Sequence, residues 1–163
     1  QMVLRIKQEI LGYINELGSE GRLISIQLHE LVHNIEEEAY LLVRDYVVDE
    51  KENDPKAIMT EMNRRLSDEL LDVQTIYRML GYPASSSPEE PVNPRGYRLL
   101  HKIPRLPYAI VVNLVAHFRN LPHILTATIE ELDEVEGIGE VRARTIKEGL
   151  KRIQEQVLID RHI

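Results

Sequence analysis

Two short stretches carry side chains whose types and spacing could do chemistry. The first is HELVH, His29 to His33. Two imidazoles one helical turn apart can hold a zinc ion, and the glutamate between them can deprotonate a bound water. A catalytic zinc also needs a third protein ligand and an open coordination position. The residues after His33 are NIEEEA, with no histidine or glycine where an extended zinc pattern needs one. Glu52 or Glu61 could be invoked as a distant ligand, but nothing local supports either. No strand precedes the pattern to align a peptide. His29 and His33 are therefore read as a chance match on a solvated helix face, and neither a metal site nor a catalytic residue is expected in this chain.

The second stretch is VEGIGEVRARTI, from Val135 to Ile146. Gly137 and Gly139 flank Ile138, which can turn inward and anchor a tight loop. Glycines allow backbone angles closed to other residues and leave the loop surface bare. The loop runs into a helix whose first amides lack partners and lie at the positive end of the dipole. That is an anion site. Arg142, Arg144 and Lys147 follow within two turns, and Ala143 is small enough for close helix packing. Contact of this kind is made to phosphate and carries no base code, so binding to a nucleic acid would be salt-sensitive and indifferent to sequence.

The elements that must position this loop read as helices throughout, an all-α chain, because apolar residues recur at three and four. Ile6, Ile10, Tyr13 and Leu17 share one face of a first helix, which should stop at the GSEG turn, residues 18–21. A second helix is expected from about Ser25 with Leu28, Leu31, Val32 and Ile35 stacked. A third, opened by Glu36–Glu38 as an acidic first turn, would carry Tyr40, Val43 and Val47. The fourth has Asp54 as N-cap and Pro55 behind it. Its apolar face would run unbroken through Ile58, Met62, Leu66, Leu70, Val73, Tyr77 and Leu80 to a stop at Gly81. These make a small helical bundle over 1–82, a spine or spacer. ASSSPEEPVNP makes residues 83–94 a linker, and 95–163 a second domain.

In that domain KIPRLPYAIVVNLV and EVEGIGEVRARTIK align at an offset of 32. Ile103 matches Val135, Leu106 matches Ile138, Val111 matches Ala143 and Leu114 matches Ile146. Each copy is a short helix, a tight hairpin and a longer helix (97–119 and 128–152), and two such hairpins can cover each other's apolar faces. Thr128 with Glu131 three residues on is a capping box. The first copy has Arg105 and Pro107 where the second has glycine, and Pro104 and Pro107 lack amide donors. It reads as a structural half that can still offer Lys102 or Arg105.

Composition agrees with this division. Residues 1–90 carry 9 Lys/Arg against 18 Asp/Glu, whereas 91–163 carry 11 against 9 and have no acid between Pro91 and Ile129. That asymmetry points to a polyanion partner for the second half. The absence of cysteine excludes disulfides and thiolate zinc sites. No apolar run could span a bilayer. The chain opens on Gln1 in what reads as mid-helix, so a longer parent is expected.

The segment from Val135 to Ile146 resembles the helix–hairpin–helix DNA-binding motif, h-x-G-h-G-x-x-x-A-x-x-I, and FRNLPHILTATIEELDEVEGIG leading into it resembles the paired form found in repair and recombination proteins. Val141 stands where that motif commonly has a basic residue, and Glu136 and Glu140 flank the hairpin. The resemblance assigns the DNA contact to Gly137, Ile138, Gly139, Val141, Arg142, Arg144 and Lys147, with Lys102 and Arg105 secondary. ELGSEGRLISIQLHELV, LLVRDYV and the ending GIGEVRARTIKEGLKRIQEQVLIDRHI are similar to the region after the catalytic domain of the DisA family of DNA integrity scanning proteins, which are bacterial diadenylate cyclases. That family's enzyme domain makes cyclic di-AMP from two ATP with Asp-Gly-Ala and Arg-His-Arg motifs, and neither occurs here. The resemblance implies a non-enzymatic DNA-sensing part of such a cyclase, with no cofactor of its own. ATP and a divalent metal (Mg or Mn) would belong to a missing N-terminal cyclase domain in cis. It further implies branched DNA as ligand, a DNA-damage checkpoint role, a homo-oligomeric parent and a cytoplasmic, nucleoid-associated setting. The rival readings are a protein–protein adaptor that keeps the hairpin fold without DNA and, far behind, the zinc hydrolase.

Overall fold

The computed structural model describes residues 2–17, 21–65, 69–87 and 89–160. Every regular element among them is helical. The chain divides into two compact units, residues 1–43 with 47–88, and residues 44–46 with 89–163.

The first unit contains α1 (Met2–Glu16), most of α2 (Gly21–Tyr46), α3 (Pro55–Arg64), a single 3-10 turn (Glu69–Leu71) and α4 (Val73–Met79). Two of its helices differ from the sequence-based expectation. The second and third helices are one, α2, which starts at Gly21 rather than Ser25 and runs for 26 residues. Nothing after Gly21 could stop it, since the stretch has neither proline nor a further glycine and Glu36–Glu38 are good helix formers. Those acids lie exposed in mid-helix instead of opening a new one. The fourth helix is broken in two. α3 starts as expected on Asp54, whose side chain accepts from the Lys56 amide. It ends at Arg64, and Arg65 is extended. Asp72 then caps α4, accepting from the amides of Gln74 and Thr75 and, at 2.6 Å, from the Thr75 hydroxyl. That hydroxyl, with the amides, holds the Asp72 carboxyl below its ordinary range. A local side-chain cap thus overrides an apolar pattern that continues through it. Leu66, which the continuous reading placed in the core, lies outside the described residues, as do Gly18, Ser19 and Glu20 of the GSEG turn. Gly81 ends α4 in the left-handed region, φ +86°, as expected.

The core of this unit is thin: Ile14, Val32, Leu41, Val43, Val47, Ile58 and Leu80 are buried. Ile6 and Tyr13 on α1, Leu17 just after it, and Ile24, Leu31, Ile35 and Leu42 on α2 are exposed. On α2, Ile24, Leu28, Leu31 and Ile35 recur at four and three and Leu42 follows two turns later, so they form one stripe.

The second unit holds α5 (Tyr97–His101), α6 (Tyr108–Phe118), α7 (Leu121–Thr126), α8 (Ile129–Asp133) and α9 (Glu140–Asp160). Its core is dense, with Leu100, Leu114, Ile124, Leu132, Ala143 and Ile146 fully buried. The repeat is followed by the backbone: α5 and α8 start 32 positions apart, and so do α6 and α9. Leu106 N donates to Ile103 O at 3.3 Å in one hairpin, and Ile138 N to Val135 O at 2.9 Å in the other. The two copies solve their first helix cap differently. Thr128 caps α8 with its own side chain, in a full capping box with Glu131. At the matching position Gly96 has no side chain, and Asp45 from the last turn of α2 supplies the carboxylate instead. It accepts from the amides of Gly96 (2.8 Å), Tyr97 (2.6 Å) and Arg98 (3.3 Å). Beside it the Arg44 guanidinium stacks 3.9 Å over the Tyr97 ring and donates to the Tyr108 hydroxyl.

Candidate nucleic-acid interface

The second hairpin is built on two buried side chains, Val135 and Ile138, which pin its ends while the residues between them stay exposed. Asn113 of α6 donates to Glu136 O at 2.9 Å, and the Arg142 guanidinium donates to Gly137 O. The loop is therefore held from both sides before any ligand arrives. The two glycines, expected to act alike, have different jobs. Gly137 has φ +79°, and an added Cβ would come within 2.8 Å of Ile110 Cδ1. Gly139 has no such angle, and its nearest neighbour to an added Cβ is Asp133 Oδ1 at 4.0 Å. Conformational freedom is needed at Gly137 alone. At Gly139 the missing side chain leaves the surface in front of α9 bare.

Gly139 O accepts the first helical bond of α9, from Ala143 N at 2.9 Å. The amides that follow Gly139 thus form the open, electropositive end of a 21-residue helix. Ala143 is fully buried, as its small size suggests.

In the first hairpin Arg105 occupies the position of Gly137 and adopts the same left-handed conformation, φ +62°. An L-residue with a Cβ is held there at a cost of about 1 kcal/mol, so the hairpin shape survives the loss of its glycine. Between the two hairpins runs a groove of about 600 Å³, walled by Pro104, Arg105 and Leu106 on one side and by the Gly139–Arg142 turn and Thr145 on the other.

The sequence-derived residues separate into groups. Gly139, Val141, Arg142 and Arg105 meet at this groove, where Val141 is 82% exposed. Gly137 and Ile138 shape the loop rather than line the groove. Arg144 is held by Glu140, with 2.6 Å between guanidinium and carboxylate. Lys147 is half-buried and turned the other way, donating to the carbonyls of Leu125 (3.1 Å) and Ala127 at the end of α7. It closes the helix C-terminus, where a cation is favoured. Lys102 sits at the C-cap of α5. Pro104, Leu106 and Thr145 also wall the groove, although the sequence reading placed none of them among the DNA-contact residues. The 32-residue register contained the signal for Leu106, which matches Ile138. His29 and His33 are exposed on α2, and no group of three or more metal-ligating side chains occurs among the described residues.

Comparison with known proteins follows the same division. Residues 1–88 match the DisA bacterial checkpoint controller linker region, and residues 121–149 match the helix–hairpin–helix motif. The DNA integrity scanning protein DisA of Carboxydothermus hydrogenoformans is 57% identical over 157 residues, covering 96% of this chain and 45% of that protein. The protein of the same name from Bacillus subtilis is 56% identical over 163 residues, covering 100% of this chain and 45% of its own length. The chain thus spans less than half the length of these relatives. With the linker-region match extending over more than half of its residues, this chain belongs to the DisA family of bacterial DNA integrity scanning proteins.

Proposed function

We propose that this chain is the DNA-binding part of a DisA protein, contacting the phosphodiester backbone without reading sequence. One observation carries the reading. Two hairpins share a backbone shape, including the left-handed residue at its tip, and face a common groove, and one of them presents the bare Gly139 in front of α9. Phosphates on a strand lying in that groove would meet the open amides of α9, with Arg142 and Arg105 on either side.

The test is a titration of the chain with linear and four-way-junction DNA over a salt series. With two to four phosphates neutralised, log K falls with log salt at a slope of roughly −2 to −4. Absence of salt-dependent binding at low ionic strength rules the reading out. Branched DNA is the favoured ligand in this proposal, since two hairpins can engage strands that converge; equal affinity for both DNAs would remove that preference.

The remaining roles belong to the longer protein. In this reading the linker unit is a spacer to a cyclase domain that uses ATP with Mg or Mn, and DNA binding restrains that domain as a damage checkpoint in the cytoplasm, at the nucleoid. In this proposal the nucleotide and the metal are assigned to that domain. Neither Asp-Gly-Ala nor Arg-His-Arg occurs in this chain, and no metal-ligating cluster stands among the described residues. No helix among the described residues is long and apolar enough to cross a membrane. A homo-oligomeric parent is supported by the stripe Ile24, Leu28, Leu31, Ile35 and Leu42 on α2, whose four-and-three spacing suits a helical seam. Sedimentation equilibrium should then show Leu31→Glu weakening self-association; an unchanged assembly would exclude the stripe as the contact.

A further inference from the structure

α9 opens with an acid at the place where a phosphate would settle. Glu140 is the first residue of the helix, next to bare Gly139, and it lines the groove together with Arg105 and Arg142. Its carboxylate is 2.6 Å from the Arg144 guanidinium. Both side chains are well exposed, 68% for Glu140 and 60% for Arg144, so the pair is reachable by a ligand. The hydrogen bond and charge of Glu140, and then the charges of Glu130 and Glu148, raise the Arg144 pKa above its ordinary value. The cation nearest the head of α9 in sequence after Arg142 is thus already answered from within the protein.

We propose that Glu140 is a built-in competitor of the DNA phosphate: it holds Arg144 as its own counter-charge, so that a phosphate gains Arg144 only by displacing the carboxylate. This rests on the DNA reading given above. An exposed ion pair is weak and screened by salt, so exchange is feasible. A nearby fixed carboxylate nevertheless acts at a high local concentration, and it lowers the number of phosphates that one chain neutralises. Affinity per chain is thereby held down, which leaves firm binding to ligands that engage more than one chain at once.

The experiment compares the full chain with its Glu140→Gln variant on one short fluorescent duplex over a salt series. Glutamine keeps the size of the side chain and removes its charge. If Arg144 is released to the DNA, one more phosphate is neutralised. The variant then binds roughly two- to fivefold tighter at about 0.1 M salt, and its log–log slope is steeper by up to about 0.9. In an Arg144→Gln background the gain from Glu140→Gln disappears. A gain that survives in that background means that Glu140 merely repels DNA directly, and overturns the proposal. Wild-type binding with no gain in Glu140→Gln overturns it as well, while leaving the DNA reading intact. If neither protein binds in a salt-dependent way, the DNA reading fails and this proposal falls with it.

Discussion

Gly139→Asp is expected to abolish DNA binding in a chain that folds as well as the original. Gly139 O receives the first bond of α9, so residue 139 is the N-cap of that helix. Aspartate is among the best residues at such a position, since its side chain can accept from the next free amides. The backbone angle there is ordinary, and an added Cβ meets nothing closer than 4.0 Å. The Asp133 carboxylate, whose Oδ1 stands at that distance, repels the new one and offsets part of the cap, so the melting temperature should change little. The new carboxylate would occupy the amides that a phosphate needs and repel the phosphate as well. Loss of one neutralised phosphate plus that repulsion gives a weakening of at least ~30-fold at low salt. Binding and thermal melting measured on the same sample separate the two effects. Undiminished affinity in Gly139→Asp would exclude the head of α9 as the contact. Substitution at Gly137 is the poorer experiment. There φ is +79° and Ile110 Cδ1 stands 2.8 Å from a new Cβ. A loss of about 1–2 kcal/mol in stability would confuse the readout.

What the sequence made legible were features whose cause is local or periodic. The 32-residue repeat could be read because both hairpins need the same inward apolar positions, Ile103 with Val135 and Leu106 with Ile138, and all four are buried or half-buried. The Thr128–Glu131 capping box and the stop at Gly81 were likewise visible, since each involves residues within one turn. The misreadings came from competition between local signals. Three glutamates in a row look like a helix start, yet within α2 nothing interrupts the ladder. Asp72 breaks an apolar pattern that continues on both sides of it. Two further features could not be read because their partners are remote. Lys147 looks like a phosphate ligand until the carbonyls of Leu125 and Ala127 are found within its reach, about 20 residues earlier in the chain. The Asp45 cap of α5 spans 51 residues, and the only hint of it was a missing side chain at Gly96 where the second copy has Thr128.

That cap is expected to be the costliest single contact to remove from the second unit. Asp45 is 5% exposed, and the amides of Gly96 and Tyr97 that it receives are buried with it. Asp45→Ala leaves both donors without an acceptor, at about 1–3 kcal/mol each. A total of about 3 kcal/mol should lower the melting temperature of this unit by more than ~10 °C. Asp45→Asn should cost clearly less, since both of those amides point at one oxygen, which an amide side chain also provides. Equal losses in the two variants would show that charge, not the hydrogen bonds, holds α5. The pH dependence has a definite sign. Burial pushes the Asp45 carboxyl above its ordinary value, against the opposing pull of the three amides and Arg98. The folded chain then takes up this proton at a higher pH than the unfolded chain does. Asp45 therefore adds stability as pH falls through its folded pKa, and the gain is complete once the unfolded carboxyl is protonated as well, below about pH 4. Asparagine cannot titrate, so the stability of the wild type relative to Asp45→Asn should increase on acidification toward the range where the unfolded carboxyl takes up its proton. A gap that narrows on acidification would mean that the amides outweigh burial and that the carboxyl is held below its ordinary value.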